Sequence, residues 1–286
     1  MATMHPLLKR VLHDFIAPNI LQPHSTPSLE DFVVTIWIAI AILIVRIIFE
    51  RAVIPGFRAY LERIKGPGQG KAAFAILDNM WIAAFAGGLT GFAWWVTVFQ
   101  NGGCTPWSTW DCFGHWPNHP VMLSQRWYMV LSFAYYLYEL AGTVLGCGTK
   151  LKLDMVAHHL ATMTLTILAY TTNLKRMSVM WQALFDISNP ILHTAKALHA
   201  SGVKALEPVK WAMFNLFALS FLVCRVLAGP YSILWPSFTV APQWLTPAIC
   251  YPCWALMVFV YVLQLIWFYK IVEIARKGDK AAEKED

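Results

Sequence analysis

Two apolar stretches of the chain carry polar residues at helical spacing. Asp154 and His158 lie four positions apart, one turn along a single helix face that Thr162 extends, and His159 points about 100° away. Farther on, Asp186, Asn189, His193 and Lys196 recur at spacings of 3, 4 and 3. They form a polar stripe on a helix whose other faces carry Trp181, Leu184, Phe185, Ile187, Ile191 and Leu192. Three chemistries suit such a set. A carboxylate-oriented imidazole is a general base for activating an amine or hydroxyl in acyl transfer. An imidazole nitrogen can instead be the nucleophile, giving an acyl-imidazole. Thirdly, His158, His159, His193 and Asp186 are Zn or Fe ligand types, although diiron sites draw on several separate histidine clusters and this chain has one adjacent pair.

Each residue also has a structural reading. An intramembrane histidine serves as a hydrogen-bonding strut, and Asp154 and Lys196 suit helix ends near headgroups. Pro190 kinks its helix, with Ser188 and Asn189 placed to satisfy the freed carbonyls. Arg225, in a later apolar run, is a counter-ion for Asp186 or Glu139. What favours chemistry is convergence. A charge at mid-membrane costs about 2.5–3.5 kcal/mol on insertion scales, and here several ionisable groups fall on neighbouring segments.

Those segments are membrane spans. Of 286 residues, 58% are hydrophobic and 13% charged, against about 45–50% and roughly 25% in a soluble domain. Mean hydropathy is +0.51. This composition excludes a cytosolic globular enzyme, a disordered regulator and a coiled coil. A formal charge of +6 and a pI near 9.0 do not signal nucleic acid, because the basic residues fall between apolar runs. A helix needs about 20 apolar residues to cross the hydrocarbon. Runs at 32–49, 72–99, 127–145, 153–170, 178–198, 211–227 and 245–272 predict an all-α polytopic protein with about seven spans, the fifth the most polar.

Residues 1–31 contain no signal-peptide pattern, and Leu7, Leu8, Val11, Leu12 and Phe15 predict a short interfacial helix. After the first span at 32–49, residues 50–70 read as a basic loop with Arg51, Arg58, Arg63 and Lys65. Residues 277–286 read as a charged tail. Lys and Arg in loop 50–70, at Lys150 and Lys152 and in the tail, against none in 100–120 and 229–244, place the C-terminus in the cytosol. Lys175 and Arg176 dissent. Cys104 and Cys112 share the 100–120 loop and are able to pair if it faces an oxidising lumen. Cys147, Cys224, Cys250 and Cys253 read as buried small hydrophobes.

The segment Asp154-Met-Val-Ala-His158-His159, with Thr162, Tyr170 and Asn173, then Phe185-Asp186-Ile-Ser188-Asn189-Pro190-Ile-Leu192-His193-Thr-Ala-Lys196, resembles the Lag motif of TLC-domain proteins, the ceramide synthases and their relatives. Lys71 through Asp78 and Trp81, Phe221 through Arg225 with Pro230, and Leu263 through Tyr269 are similar to flanking segments of that domain. The resemblance covers about residues 71–276. Ceramide synthases typically carry His-Asp where this chain has Phe185-Asp186, a second acid in place of Asn189, and Glu in place of His193.

The resemblance implies that spans two to seven form a TLC-type helical barrel around a lipid cavity, in the endoplasmic reticulum membrane. It implies a sphingosine N-acyltransferase-like enzyme that moves a fatty acyl group from acyl-CoA to a long-chain (sphingoid) base. No bound cofactor or metal is expected, and acyl-CoA is the co-substrate. His158 and His159 would be base or nucleophile and Asp186 an orienting carboxylate. Asp154, Ser188, Asn189, His193, Lys196 and Arg225 would line or support the cavity. Membrane lipids are the implied partners, without nucleic acid, and a homo- or hetero-dimer is compatible with the family. The alternative is a non-catalytic lipid-binding protein that regulates membrane composition; a transporter is disfavoured because no inverted repeat is evident.

Overall fold

The computed structural model describes residues 29–120 and 122–277; the expected interfacial helix at the N-terminus and most of the charged tail lie outside them. The helices are α1 (Val33–Lys65), α2 (Gly70–Phe99), α3 (Leu123–Leu145), α4 (Leu153–Thr171), α5 (Lys175–Asp186), α6 (Ser188–Ser201), α7 (Glu207–Phe221), α8 (Trp235–Thr239) and α9 (Pro247–Lys277). Among the described residues there is no strand. Every expected span is helical, so the protein is an all-α polytopic membrane protein.

Among the described residues, four stretches are long and apolar enough to cross a membrane: Leu29–Lys65, Gly70–Phe99, Lys204–Gln243 and Pro247–Lys277. Helices α3 to α6, of which α4 carries His158 and His159 and α6 carries His193, contain Arg126, Glu139, Asp154 and Asp186 besides, which lower their apolarity. The stretch at 50–70 is not a loop as the sequence suggested. It is helical as far as Lys65, continuing α1 through Pro55. Arg58 donates to Glu62 one turn on (2.9 Å), and Leu61 packs with Phe57, Ala73, Ile76 and Ala200. With 33 residues, α1 is about 50 Å long at 1.5 Å per residue, which exceeds the hydrocarbon thickness.

The chain divides into two compact units. Of the described residues, one comprises 29–55 with Phe92–Met180; the other comprises Gly56–Gly91 with 181–277.

In the first unit, Val34 and Ile38 of α1 pack on Trp127 and Val130 of α3. Phe32 meets Phe133 and Tyr170 edge-on, with ring centroids 4.8 and 5.1 Å apart. Beside these rings Arg126 donates to Asp31 (2.7 Å) and to the Tyr170 hydroxyl (3.1 Å), which itself donates to Asp31 (2.5 Å). Asp31, Arg126 and Tyr170 are fully buried. The start of α1, the start of α3 and the end of α4 therefore meet at one end of the unit, as alternating spans require.

The 100–120 loop closes over this same end. A Cys104–Cys112 disulfide staples it. Trp116 donates to the Thr172 carbonyl (2.7 Å), Asn173 to that of Pro117 (2.6 Å) and Arg176 to that of Asp111 (3.1 Å). Lys175 is 1% exposed and donates to Asn173. The two basic residues that dissented from the charge bias are thus tied into the packed end of the unit, and not displayed as solvated loop charges. Burial, with Arg126 adjacent, pushes the Lys175 amine down to about 7 against the opposing pull of Asp31.

In the second unit, Phe217, Phe221 and Ile271 form a core with Ile191, Leu192, Phe214, Trp267 and Phe268. Proline shapes the helices here. Pro190 has no N–H for the Asp186 carbonyl four residues back, the helix breaks between α5 and α6, and Thr90 Oγ1 donates to that carbonyl (3.2 Å). Pro230 likewise deprives the Val226 carbonyl, which accepts from the Tyr261 hydroxyl (3.0 Å). Around that proline the backbone widens into π-helical turns at Leu222–Leu227 and Pro230–Leu234, a form frequent at functional sites.

Candidate functional site

His159 is 4% exposed on α4 and is held at both ring nitrogens. Nδ1 lies 2.8 Å from the Met155 carbonyl one turn earlier, and Nε2 lies 2.7 Å from Glu139 Oε2 on α3. A carbonyl only accepts, so Nδ1 bears a proton. A second proton is then shared between Nε2 and the Glu139 carboxyl, since two bare lone pairs at that distance would repel. Imidazolium–carboxylate and imidazole–acid are both net neutral, and a neutral pair is the form that a bilayer tolerates. Tyr136 meets the His159 ring edge-on at 4.8 Å.

His158, half-buried, sits beside it with ring centroids 5.9 Å apart and planes at 80°. Asp154, in the first turn of α4, accepts from the Met155 N–H (3.0 Å), where the helix N-terminus favours a carboxylate. The structure thus gives His159 a carboxylate that sequence spacing did not assign to it, Glu139. The available signal was an acidic residue in the middle of the third span.

The remaining residues of the set belong to the second unit. The broken helix leaves carbonyls that polar side chains occupy. Ser188, fully buried, donates to the Phe185 carbonyl (3.3 Å), and Arg225 Nε donates to the same oxygen (2.8 Å). Arg225 Nη1 reaches Gln264 (2.9 Å) and Nη2 reaches Asn189 Oδ1. Its guanidinium lies 4.8 Å from the Phe221 ring centroid, a favourable cation–π placement. Asn189 in turn donates to Asp186 (3.1 Å). The amide of Asn189 therefore joins a carboxylate to a guanidinium. Gly229 permits this approach, because a Cβ there would fall 3.1 Å from the Phe185 ring.

His193 bonds through Nδ1 to Asn79 Oδ1 of α2 (2.8 Å), a partner that the stripe of spacings did not reveal. Lys196 is half-buried on the same helix. Among the described residues no group of three or more His, Cys, Asp or Glu side chains is placed to hold a metal ion.

A family model described as the TLC domain matches residues 76–273. The chain belongs to the TLC-domain family. Its histidine pair, the polar stripe of α6 and Arg225 all fall inside the matched TLC domain. Among similar proteins, Ceramide synthase 5 of Mus musculus is 28% identical over 178 residues, 60% of this chain and 41% of that protein. Ceramide synthase LOH1 of Arabidopsis thaliana is 26% identical over 181 residues, 60% of this chain and 57% of the relative. Ceramide synthase hyl-1 of Caenorhabditis elegans is 22% identical over 305 residues, 94% of this chain and 80% of the relative. This TLC-domain chain spans about half the length of the mouse and plant relatives that it matches.

Proposed function

We propose that this TLC-domain protein is a membrane acyltransferase that moves a fatty acyl group from acyl-CoA to the amine of a long-chain sphingoid base, as in ceramide synthesis. The observation that carries this reading is the His159–Glu139 pair beside His158 on an apolar span. A net-neutral, two-proton pair next to a second imidazole supplies the parts of acyl transfer. His158 acts as base or nucleophile, while the His159–Glu139 pair, with both ring nitrogens engaged, fixes the geometry beside it. Asp186, expected as the orienting carboxylate, anchors the Asn189–Arg225 chain in this reading, with Ser188 and Lys196 as polar support and Asp154 at the helix start. The ceramide synthase relatives support the substrate class, and acyl-CoA enters as co-substrate.

Residence in the endoplasmic reticulum with a cytosolic C-terminus, and assembly as a homo- or hetero-dimer, belong to the same proposal. The stapled 100–120 loop supports a lumenal position for that end, since disulfides persist in oxidising compartments. A second reading, lipid binding without chemistry, is favoured by the second unit, where Asp186, Asn189 and Arg225 satisfy one another as a structural network would.

The deciding experiment incubates purified protein with acyl-CoA and a panel of amine and alcohol lipids, with detection by mass spectrometry. A new N-acyl product that His158→Ala and His159→Ala each abolish supports the enzyme. Folded wild-type protein that binds these lipids without converting them supports the second reading.

A further inference from the structure

Three helix ends meet at one end of the second unit. Leu61, near the end of α1, packs with Phe57, with Ala73 and Ile76 of α2 and with Ala200 of α6. Lys65 donates to the carbonyl of Ser201, the last residue of α6. The Arg58 side chain lies 3.6 Å from where a Cβ on Gly70 would stand. The span of α2 begins at Gly70, so its first turns mark the edge of the hydrocarbon. The last turns of α1 stand level with that edge.

Two kinds of side chain are displayed there. Arg58, Arg63, Lys65, Lys71 and, just past α6, Lys204 are exposed, and the acid in these stretches, Glu62, is bonded to Arg58. Topology accounts for such charge, but not for what accompanies it. Tyr60 and Ile64, one turn apart on the same face of α1, are 58 and 60% exposed. The Tyr60 ring stacks on Phe57, with centroids 6.3 Å apart. Val203 and Leu206, on either side of Lys204, are exposed as well. Apolar side chains edged by Arg and Lys are the composition of an element that lies in the headgroup zone.

We propose that this end of the second unit is a docking surface for anionic phospholipids of the adjoining leaflet. The bases take the headgroup charge, while Tyr60 and Ile64 enter between the glycerol and the upper acyl chain, the depth that tyrosine favours. A soluble nucleotide phosphate would satisfy the bases and leave Tyr60 and Ile64 in water, whereas a lipid meets both. A base near an anionic surface contributes about 1 kcal/mol, a factor of about five. The surface holds its lipid whether or not the protein is an acyltransferase.

The test uses the full chain in nanodiscs of phosphatidylcholine with a minority of phosphatidylserine. The photocrosslinker benzoylphenylalanine replaces the exposed Tyr60, and its lipid adducts are identified by mass spectrometry after irradiation. Phosphatidylserine should be enriched among the adducts about fivefold or more over its share of the lipid, and the enrichment should fall at high salt. Arg63→Gln, Lys71→Gln and Lys204→Gln together should bring it close to that share. If this triple variant fails to fold, the salt dependence decides, together with the replacement of phosphatidylserine by phosphatidylglycerol, which keeps the net charge and should keep the enrichment. Adducts in proportion to lipid composition, unmoved by salt or by the substitutions, refute the inference, and so does a probe that forms no lipid adduct. Loss of the enrichment on adding free coenzyme A, at concentrations too low to change the ionic strength, would give the bases to a soluble nucleotide and overturn the lipid assignment.

Discussion

His119, in the stapled loop, gives a pH dependence whose sign and size follow from its surroundings. It is 4% exposed, and its Nε2 lies 2.6 Å from the Asn173 carbonyl, so Nε2 is the donor. Nδ1 is buried and has no hydrogen-bond partner among the described residues. Burial, then the nearby Arg176, Lys175 and His115, push the imidazole down from 6.5 to about 4. A third cation beside Arg176 and Lys175 is thus resisted. The folded value lies below the unfolded one, so as pH falls the unfolded chain takes up the proton first. Stability present above pH 6.5 is lost between there and about pH 4. At 1.36 kcal/mol per tenfold, the loss amounts to about 3 kcal/mol.

His119→Gln keeps a donor for the Asn173 carbonyl and does not titrate. Between pH 7.5 and 4.5, which covers most of that window, the wild type should lose about 2.5 kcal/mol more stability than the variant, on the order of 4 °C in melting temperature for a chain of this length. Thermal unfolding in detergent measures the difference, and comparison with the variant cancels the carboxylates common to both. Hydrogen exchange across 100–120 should rise in acid in the wild type alone. Parallel pH curves for the two proteins would refute the reasoning.

Three further outcomes are expected. Glu139→Gln retains the shape but not the shared proton of the His159 pair, and should lower single-turnover acyl transfer by on the order of 10²–10³ with little change in melting temperature. Asp31→Ala strands the buried Arg126 and should cost about 3–5 kcal/mol, read as lower yield and thermal stability; an unaltered melting temperature would show that the pair is not worth its burial. Asp186→Asn keeps an acceptor for Asn189 but leaves the Arg225 network without its carboxylate. Stable but inactive protein would mark Asp186 as catalytic, loss of folding would mark it as the network's counter-charge, and a stable, active variant would remove both roles.

The spans were legible because their apolar runs are long, and the family was legible because the His158-His159 pair and the downstream Asp186 stand at fixed spacing. Seven helical regions could be placed this way, but the break at Ile187 could not, since proline announces a kink without saying which donors will rescue the carbonyls. Spacing along one helix also says nothing of partners on another. The stripe Asp186, Asn189, His193 and Lys196 was visible, whereas Asn79 and Glu139 as histidine partners were not. Asp31 and Arg126 carried a fainter signal: both lie at the N-terminal ends of odd-numbered spans, which share a membrane face. The basic stretch after the first span was misread as a loop because charge was taken to end the helix, when Arg58 and Glu62 extend it.

The proline breaks in the second unit have a consequence for how the protein enters its bilayer. Where Pro190 breaks the helix and Pro230 widens it into π-helical turns, a carbonyl takes a bond from a distant segment: Asp186 from Thr90, and Val226 from Tyr261. A carbonyl left bare in hydrocarbon costs several kcal/mol. The fifth and sixth spans are therefore poor solitary residents of lipid. The fifth needs α2, already synthesised, while the sixth must await Tyr261 on α9, still to be made. Until α9 arrives, the Val226 carbonyl has to be sheltered by water, by the insertion machinery or by a neighbouring chain. The sixth span's final seating is thus an event of late synthesis, and truncation before α9 should leave a segment that is apolar enough to insert yet unable to settle.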